Sequence, residues 1–368
     1  MKIAVAGHIC LDIIPGIGRN VSAIEKLLIP GTLTEVGGAV LATGGAVSNT
    51  GIALHKLGQN VILIAKIGDD SFGCAILDIL RKQGEKLPDG MIVCPGSETS
   101  YSIVINPPGI DRMFLHYPGA NNTFFSADID DNKLDGVDLF HFGYPTLMRS
   151  MYRDDGAEMK ALFERVRIAG AYASLDMTCV DPDSEAGHVN WFKWLGNVLP
   201  SVDIFLPSMD ELLFMVNRVK YDELVRKFPG DLMQGIDHEL IENTARTLID
   251  LGVSVVVIKL GDQGLYLRTG KAVRGRGAEW CNVNLFMPCL KANVVGTTGA
   301  GDCTIAGFLT AFIEGVTPAA AARTAVAVGA FSTESVDATS TVPSLDRVRQ
   351  RLAAGWDHLG SKFETIPV

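Results

Sequence analysis

Near the C-terminal end the chain reads Val294-Val295-Gly296-Thr297-Thr298-Gly299-Ala300-Gly301-Asp302-Cys303, and continues as an apolar stretch to Glu314. A strand end thus passes through three glycines in six positions into a helix. Glycines let the backbone approach a ligand closely, and the first amides of a helix have no partner within it. Together with the positive end of the helix dipole they form an anion site, which makes Gly299, Ala300 and Gly301 candidates to cradle a transferring phosphoryl group. Asp302 falls in the first helical turn beside that site. There it can take the proton of an alcohol attacking a γ-phosphate, a reaction in which positioning matters more than basicity. An Asp that only complements a helix N-terminus, worth about 0.3–1 kcal/mol, accounts for the position alone equally well. The spacing is neither Gly-x-x-x-x-Gly-Lys-Ser/Thr nor Gly-x-Gly-x-x-Gly, so it is no Walker loop and no dinucleotide fingerprint.

A second constellation lies at Gly44-Gly45-Ala46-Val47-Ser48-Asn49. The glycine pair leads into a helix whose first turn presents Asn49, a group that both donates and accepts and suits a hydroxyl. Its other reading is a turn with a helix cap. Asp12 follows the first strand, and ligands of open parallel sheets gather beyond the carboxyl ends of strands. In Val257-Ile258-Lys259-Leu260-Gly261-Asp262-Gln263-Gly264 a strand runs into a glycine turn, and Lys259 either faces phosphate or is a solvated strand-end lysine. The seven histidines do not pair at metal-ligand spacing, and no Gly-x-Ser-x-Gly elbow is present. His141 and His188 read as core or surface residues.

The elements that carry these residues alternate. Val61 to Ile67 and Val253 to Leu260 are short, nearly continuous apolar runs, the pattern of strands covered on both faces. Ala46 to Leu57, stopped by Gly58, and Ser71 to Gln83, stopped by Gly84, read as helices. Strands and helices alternating at these lengths predict an α/β fold, a doubly wound, mostly parallel sheet flanked by helices. Residues 13–40 and 97–125 break the rhythm. In the latter, Tyr101, Ile103 and Ile105 alternate with Ser102, Val104 and Asn106 ahead of a second run to Tyr117, which reads as a small antiparallel flap. Arg274 to Ala292, with Trp280 and Pro288, reads as a long loop.

Bulk properties exclude several classes. The 368 residues are 47% hydrophobic and 20% charged, enough for a large core, and the net charge of −10 without a basic run lacks the footprint of a nucleic-acid surface. Seven scattered cysteines with no Cys-x-x-Cys fit a reducing compartment and read as small core residues. The first apolar stretch meets His8 and Asp12 too early for a signal peptide, and no run reaches the roughly 18 apolar residues of a membrane span. A cytoplasmic protein with no membrane partner is expected.

From Thr297 to Asp302 and on through Ala306-Gly307-Phe308 the chain resembles the C-terminal signature of the ribokinase-like (PfkB-type) carbohydrate kinases. Gly44 to Asn49, Ala53, Leu57-Gly58 and Lys66-Ile67-Gly68-Asp69-Asp70-Ser71-Phe72-Gly73 resemble the other signature, and the likeness covers essentially the whole chain. It implies one ribokinase-like domain over 1–368, with a small β lid from about 13–40 and 97–125. The implied activity is ATP-dependent phosphorylation of a hydroxyl of a small sugar or sugar derivative, with Asp302 as base and Gly299 to Asp302 as anion hole. Asp12, Gly44, Gly45, Asn49 and, within Tyr117-Pro118-Gly119-Ala120-Asn121, Asn121 would hold the sugar. Lys259, Gly261, Gly264, Thr298 and Ser208 would face ATP, and Glu211 would organise Mg²⁺ through water. Three departures stand out: Ser208 replaces the usual Asn, Thr178 follows Asp176 where an Asn is common, and Gly296 replaces the Asp that helps hold a monovalent cation. The resemblance therefore does not imply potassium activation. A nucleoside kinase on the same fold and a catalytically silent sugar sensor are the alternatives, and exposed lid edges suggest a homodimer through the lid.

Overall fold

The computed structural model describes residues 1–18, 24–108 and 112–363; the parts of the expected lid at 19–23 and 109–111 lie outside them. In the first strand, Lys2–Gly7, successive side chains point to opposite faces: Ile3 and Val5 enter one apolar core, Ala4 and Ala6 the other. The same double burial recurs along an eight-stranded sheet. Its spatial order is Asn60–Ile64, Lys2–Gly7, Leu139–Gly143, Tyr172–Leu175, Ile204–Phe205, Val255–Lys259, Leu265–Thr269, Asn284–Met287. The first six are parallel, and the last two are added at the edge through antiparallel pairings, so that Leu265–Thr269 alone runs against the others. Helices supply both covers, so this is the doubly wound, mostly parallel α/β architecture.

The chain leaves Lys2–Gly7 toward one side to form Asn60–Ile64 and later returns on the other side as Leu139–Gly143. Between Lys2–Gly7 and Leu139–Gly143 the order of the sheet therefore reverses, and such a reversal opens a crevice at the carboxyl ends of the two strands. Gly7 pairs with Gly143 there, and the residues that follow, His8 and Tyr144, face that crevice's mouth. The close approach demands glycine: a Cβ on Gly7 would lie 2.3 Å from the Gly143 carbonyl oxygen.

A second sheet of four strands, in the order Gly37–Gly44, Cys10–Gly16, Tyr101–Ile105, Met113–Tyr117, lies at the same end. Cys10–Gly16 runs antiparallel to Gly37–Gly44 and parallel to Tyr101–Ile105, which pairs antiparallel with Met113–Tyr117. On it Val40, Leu41, Phe114 and Leu115 are exposed.

Two elements differ from the sequence reading. The run Val61 to Ile67 is split: Asn60–Ile64 belongs to the main sheet, whereas Lys66–Gly68 pairs with Ile92–Cys94 in a separate ribbon. Lys66 is buried and donates to the Thr123 carbonyl at 2.6 Å with Asp128 at 3.1 Å, contacts that turn the chain away. The stretch Arg274 to Ala292 is not only a loop. Asn284–Met287 closes the sheet edge, with Leu285 packed in one core and Phe286 in the other. No helix among the described residues is long and apolar enough to cross a membrane.

Candidate active site

The helix Ala300–Ile313 starts from Gly299, which has φ of +67° and no room for a side chain, since a Cβ would meet the Ala338 methyl at 2.3 Å. The turn is held from within: the Ala300 amide leans on the Thr297 carbonyl at 3.3 Å, so the amides of Gly301 and Asp302 remain the free donors of the helix start. Arg112, just ahead of the last lid strand, donates to the Thr298 hydroxyl and reaches Thr297 Oγ1 at 3.4 Å. The lid is thereby tied to the anion turn.

Asp302 is 3% exposed and its carboxylate is surrounded by donors. Asn49 Nδ2 donates to Oδ2 at 2.9 Å, the Tyr144 hydroxyl lies 2.8 and 3.0 Å from the two oxygens, and Thr50 Oγ1 donates at 3.4 Å. Burial pushes the Asp302 pKa above the usual carboxyl range, and Lys259 with these three hydrogen bonds pulls it back. Lys259 lies under the turn: its Nζ is 3.7 Å from where a Gly301 Cβ would sit, and it forms an ion pair with Asp176 at 2.8 Å. Burial alone would pull the Lys259 pKa down, yet the carboxylates of Asp176 and Glu211 hold it above the ordinary lysine range. The two acids move the other way: burial raises Asp176 to about 7 and Glu211 to about 8, opposed by Lys259.

Glu211 accepts the Ser208 amide at 2.7 Å and so caps the helix Met209–Val216. Ser208 bridges to Lys259 across neighbouring chain ends, which places Ser208, Lys259 and Glu211 in one group. Gly261 and Gly264 form the turn after Lys259, both at positive φ, and a Cβ on Gly264 would strike the Met287 carbonyl oxygen at 2.1 Å.

At the lid side, Asp12 lies flat on Gly44, where a Cβ would come within 2.3 Å of its carboxylate. Burial raises the Asp12 pKa to about 6, against hydrogen bonds from Cys10 and Ser102. Gly45, at φ +88°, leaves space for His8, whose Nδ1 would meet a Cβ there at 2.6 Å. His8 Nε2 faces His116 Nε2 of the lid at 3.3 Å, and Ser102 Oγ lies 3.0 Å from His116 Nδ1. The ligand atoms of His8, Cys10 and His116 fall within 4.8 Å of one another. Sequence spacing hides this cluster because His116 is 108 residues from His8.

Two assignments change. Asn121 does not present its amide to the sugar rim: it is fully buried, donates to the Ile9 carbonyl at 2.9 Å and accepts the Ile9 amide at 3.5 Å. It fixes the loop that carries His8 and Cys10. Asn49 points its amide at Asp302 and orients that carboxylate. Sequence reasoning missed Tyr144, Thr50, His8, His116 and Arg112. Of these, Thr50 alone carried a signal, as the neighbour of Asn49 in the same helical turn. His141 is a core residue, its Nδ1 3.0 Å from Ser174 Oγ, and burial with Lys259 nearby lowers its pKa to about 3. His188 is on the surface, with Nδ1 2.8 Å from the Ser184 carbonyl oxygen.

A helix start with unpaired amides, under a lid that reaches it through an arginine, is suited to kinases that phosphorylate small alcohols. The chain belongs to the pfkB family of carbohydrate kinases, which it matches over residues 2–345, and it is a carbohydrate kinase, a phosphotransferase. It is 25% identical over 361 residues to fructokinase-2 of Solanum habrochaites, covering 95% of both chains. Its fold is similar to that of a fructokinase with bound ATP from Xylella fastidiosa (TM-score 0.71, 18% identity, 96% of this chain and 98% of that one). It is also similar to a putative ribokinase II in complex with ATP and Mg²⁺ from E. coli (TM-score 0.69, 19% identity, 96% and 99%). ATP and Mg²⁺ are typical of the family.

Proposed function

We propose that the protein transfers the γ-phosphoryl group of ATP to a hydroxyl of a small sugar held between Asp12 and Asp302 under the lid. The observation that carries this reading is Asp302 itself, a buried carboxylate beside the free amides of a glycine-turn helix, oriented by three donor side chains from two other segments, Asn49 and Thr50 on the helix Ala46–Lys56 and Tyr144 after Leu139–Gly143. The alcohol's oxygen forms the new P–O bond as the β–γ bridge breaks, its proton passes to Asp302, and ADP leaves. The amides of Gly301 and Asp302 and the Lys259 ammonium stabilise charge on the transferring group. Asp12, at the lid strand's start, accepts from other sugar hydroxyls, and Arg112 holds the lid over the turn so that water is excluded.

The residues present fit a magnesium ion. Asp176 Oδ2 is buried with no hydrogen-bond partner, and with Glu211 it offers the oxygen ligands a hard cation prefers. Mg²⁺ would neutralise the phosphate charge there. A panel of hexoses, pentoses, sugar acids and nucleosides with Mg-ATP tests the reading. Sugar-dependent ADP release is expected; its absence across the panel would overturn the kinase role, and release only with nucleosides would move the acceptor class.

Gly296 lacks the carboxylate that would hold a monovalent cation, and a Cβ there would lie 2.8 Å from the Ser335 carbonyl oxygen and 3.1 Å from that of Val336. Turnover is therefore expected to be the same, within twofold, in potassium and in tetramethylammonium salts at equal ionic strength. A tenfold stimulation by potassium would show that backbone carbonyls alone suffice.

A further inference from the structure

Tyr144 directly follows Leu139–Gly143 at the reversal point of the sheet, and it holds φ 63°, ψ 44°, a left-handed conformation that a large L-residue adopts only under constraint. Gly143 before it is pressed on the Ala46 methyl, where a Cβ would fall at 2.1 Å, so the backbone cannot relax on that side. The strained turn aims the phenol at the base: the hydroxyl lies 2.8 and 3.0 Å from Oδ1 and Oδ2 of Asp302. Burial, with Asp302, Asp176 and Glu211 nearby, keeps the phenol protonated, so it is the donor. A hydroxyl donating to the carboxylate of the base is what the acceptor alcohol presents when it reacts.

We propose that Tyr144 stands in for the acceptor alcohol, holding Asp302 with its own hydroxyl until a sugar hydroxyl displaces it, and so keeps the base from activating water. This rests on the reading of Asp302 as the base. Tyr144 is a positioning residue in this scheme; its ring, 6.3 Å from that of His8 and stacked at 30°, leans toward the His8–His116 contact between floor and lid. Displacement by the sugar therefore reports occupancy of the pocket to the base. In its absence a water oxygen attacks the γ-phosphorus, its proton goes to Asp302, and ADP and inorganic phosphate are released without sugar.

The test is Tyr144→Phe, which keeps the ring and removes the hydroxyl. The ratio of sugar-independent to sugar-dependent ADP release is expected to rise roughly tenfold, and the sugar KM to fall several-fold, because a hydrogen bond to a charged group no longer has to be broken. A ratio within twofold of the parent, or a lowered kcat with KM unchanged, would overturn the inference and leave Tyr144 as packing. Tyr144→Leu, checked by its unfolding midpoint, should give the same ratio change if the hydroxyl is what matters. Asp302→Asn separates the two readings: if it abolishes both rates while Tyr144→Phe changes nothing, only the Tyr144 inference fails. If Asp302→Asn retains turnover, the base assignment fails first.

Discussion

Asp302→Asn is expected to lower sugar-dependent ADP release by about 10²–10⁴-fold, the range a positioned general base contributes. Asparagine keeps the shape of the side chain and most of its packing against Asn49, Thr50 and Tyr144, so the loss measures the proton acceptor and not the pocket. Because burial opposes the charged form of Asp302, removing the charge should leave the protein as stable as the parent near pH 8, or more so. Loss of turnover with an equal or higher urea midpoint is the signature of a residue kept for chemistry at some cost to stability. Turnover within tenfold of the parent would mean that another group takes the proton.

The parts of the molecule that were legible in sequence are those whose signal is local. The helix Ser71–Gln83 has its cap in the preceding residue: Asp70 accepts the Gly73 amide at 2.8 Å. Gly299 and Gly45 announce positive φ by being glycine. The buried strands declare themselves by unbroken apolar runs. What was not legible depends on pairs brought together by topology. Tyr144 meets Asp302 across 158 residues, and nothing in His-Phe-Gly-Tyr-Pro marks the left-handed turn that aims it. Asn284–Met287 reads as loop because it sits in an irregular stretch between Trp280 and Pro288, yet an edge strand needs only Leu285 and Phe286 to bury. Asn121 was expected at the sugar rim because the stretch Tyr117 to Asn121 resembles one in the carbohydrate kinases. Its burial at 0% exposure commits both ends of the amide to the Ile9 backbone instead.

The same topology explains why the site is assembled from so many segments. The crevice between Lys2–Gly7 and Leu139–Gly143 supplies His8 and Tyr144, the next strands toward the edge deliver Asp176 and Lys259 at their carboxyl ends, and the helix Ala300–Ile313 brings Asp302 to meet them. The last lid strand adds His116, and Arg112 just ahead of it reaches the turn. Only the rigid sheet holds these side chains in register, so substitutions that disturb its charged centre should be felt throughout.

Lys259→Met should be the most destabilising single change in that centre, costing on the order of 1–2 kcal/mol near pH 8, because Asp176, which titrates near 7 beside its cation, must then stay protonated. Asp176 is fully buried and its second oxygen lacks a hydrogen-bond partner, so among the described residues Lys259 is the one cation paired with it. The sign of the pH dependence follows from its raised pKa. A carboxyl whose folded value lies near 7, well above that of the unfolded chain, contributes to stability in acid and loses that contribution as pH climbs through 7. In the parent Lys259 already holds that value down; without it the carboxyl pKa rises further and the loss continues to higher pH. The deficit of Lys259→Met, read as a shift in urea midpoint, is therefore expected to be small at pH 5 and to grow toward pH 8. Adding Asp176→Asn to the variant should restore part of the stability at pH 8 and little at pH 5. A deficit that is flat with pH, or a double variant no better than the single one, would show that Lys259 stabilises the site through its packing under Gly301 and not through its charge.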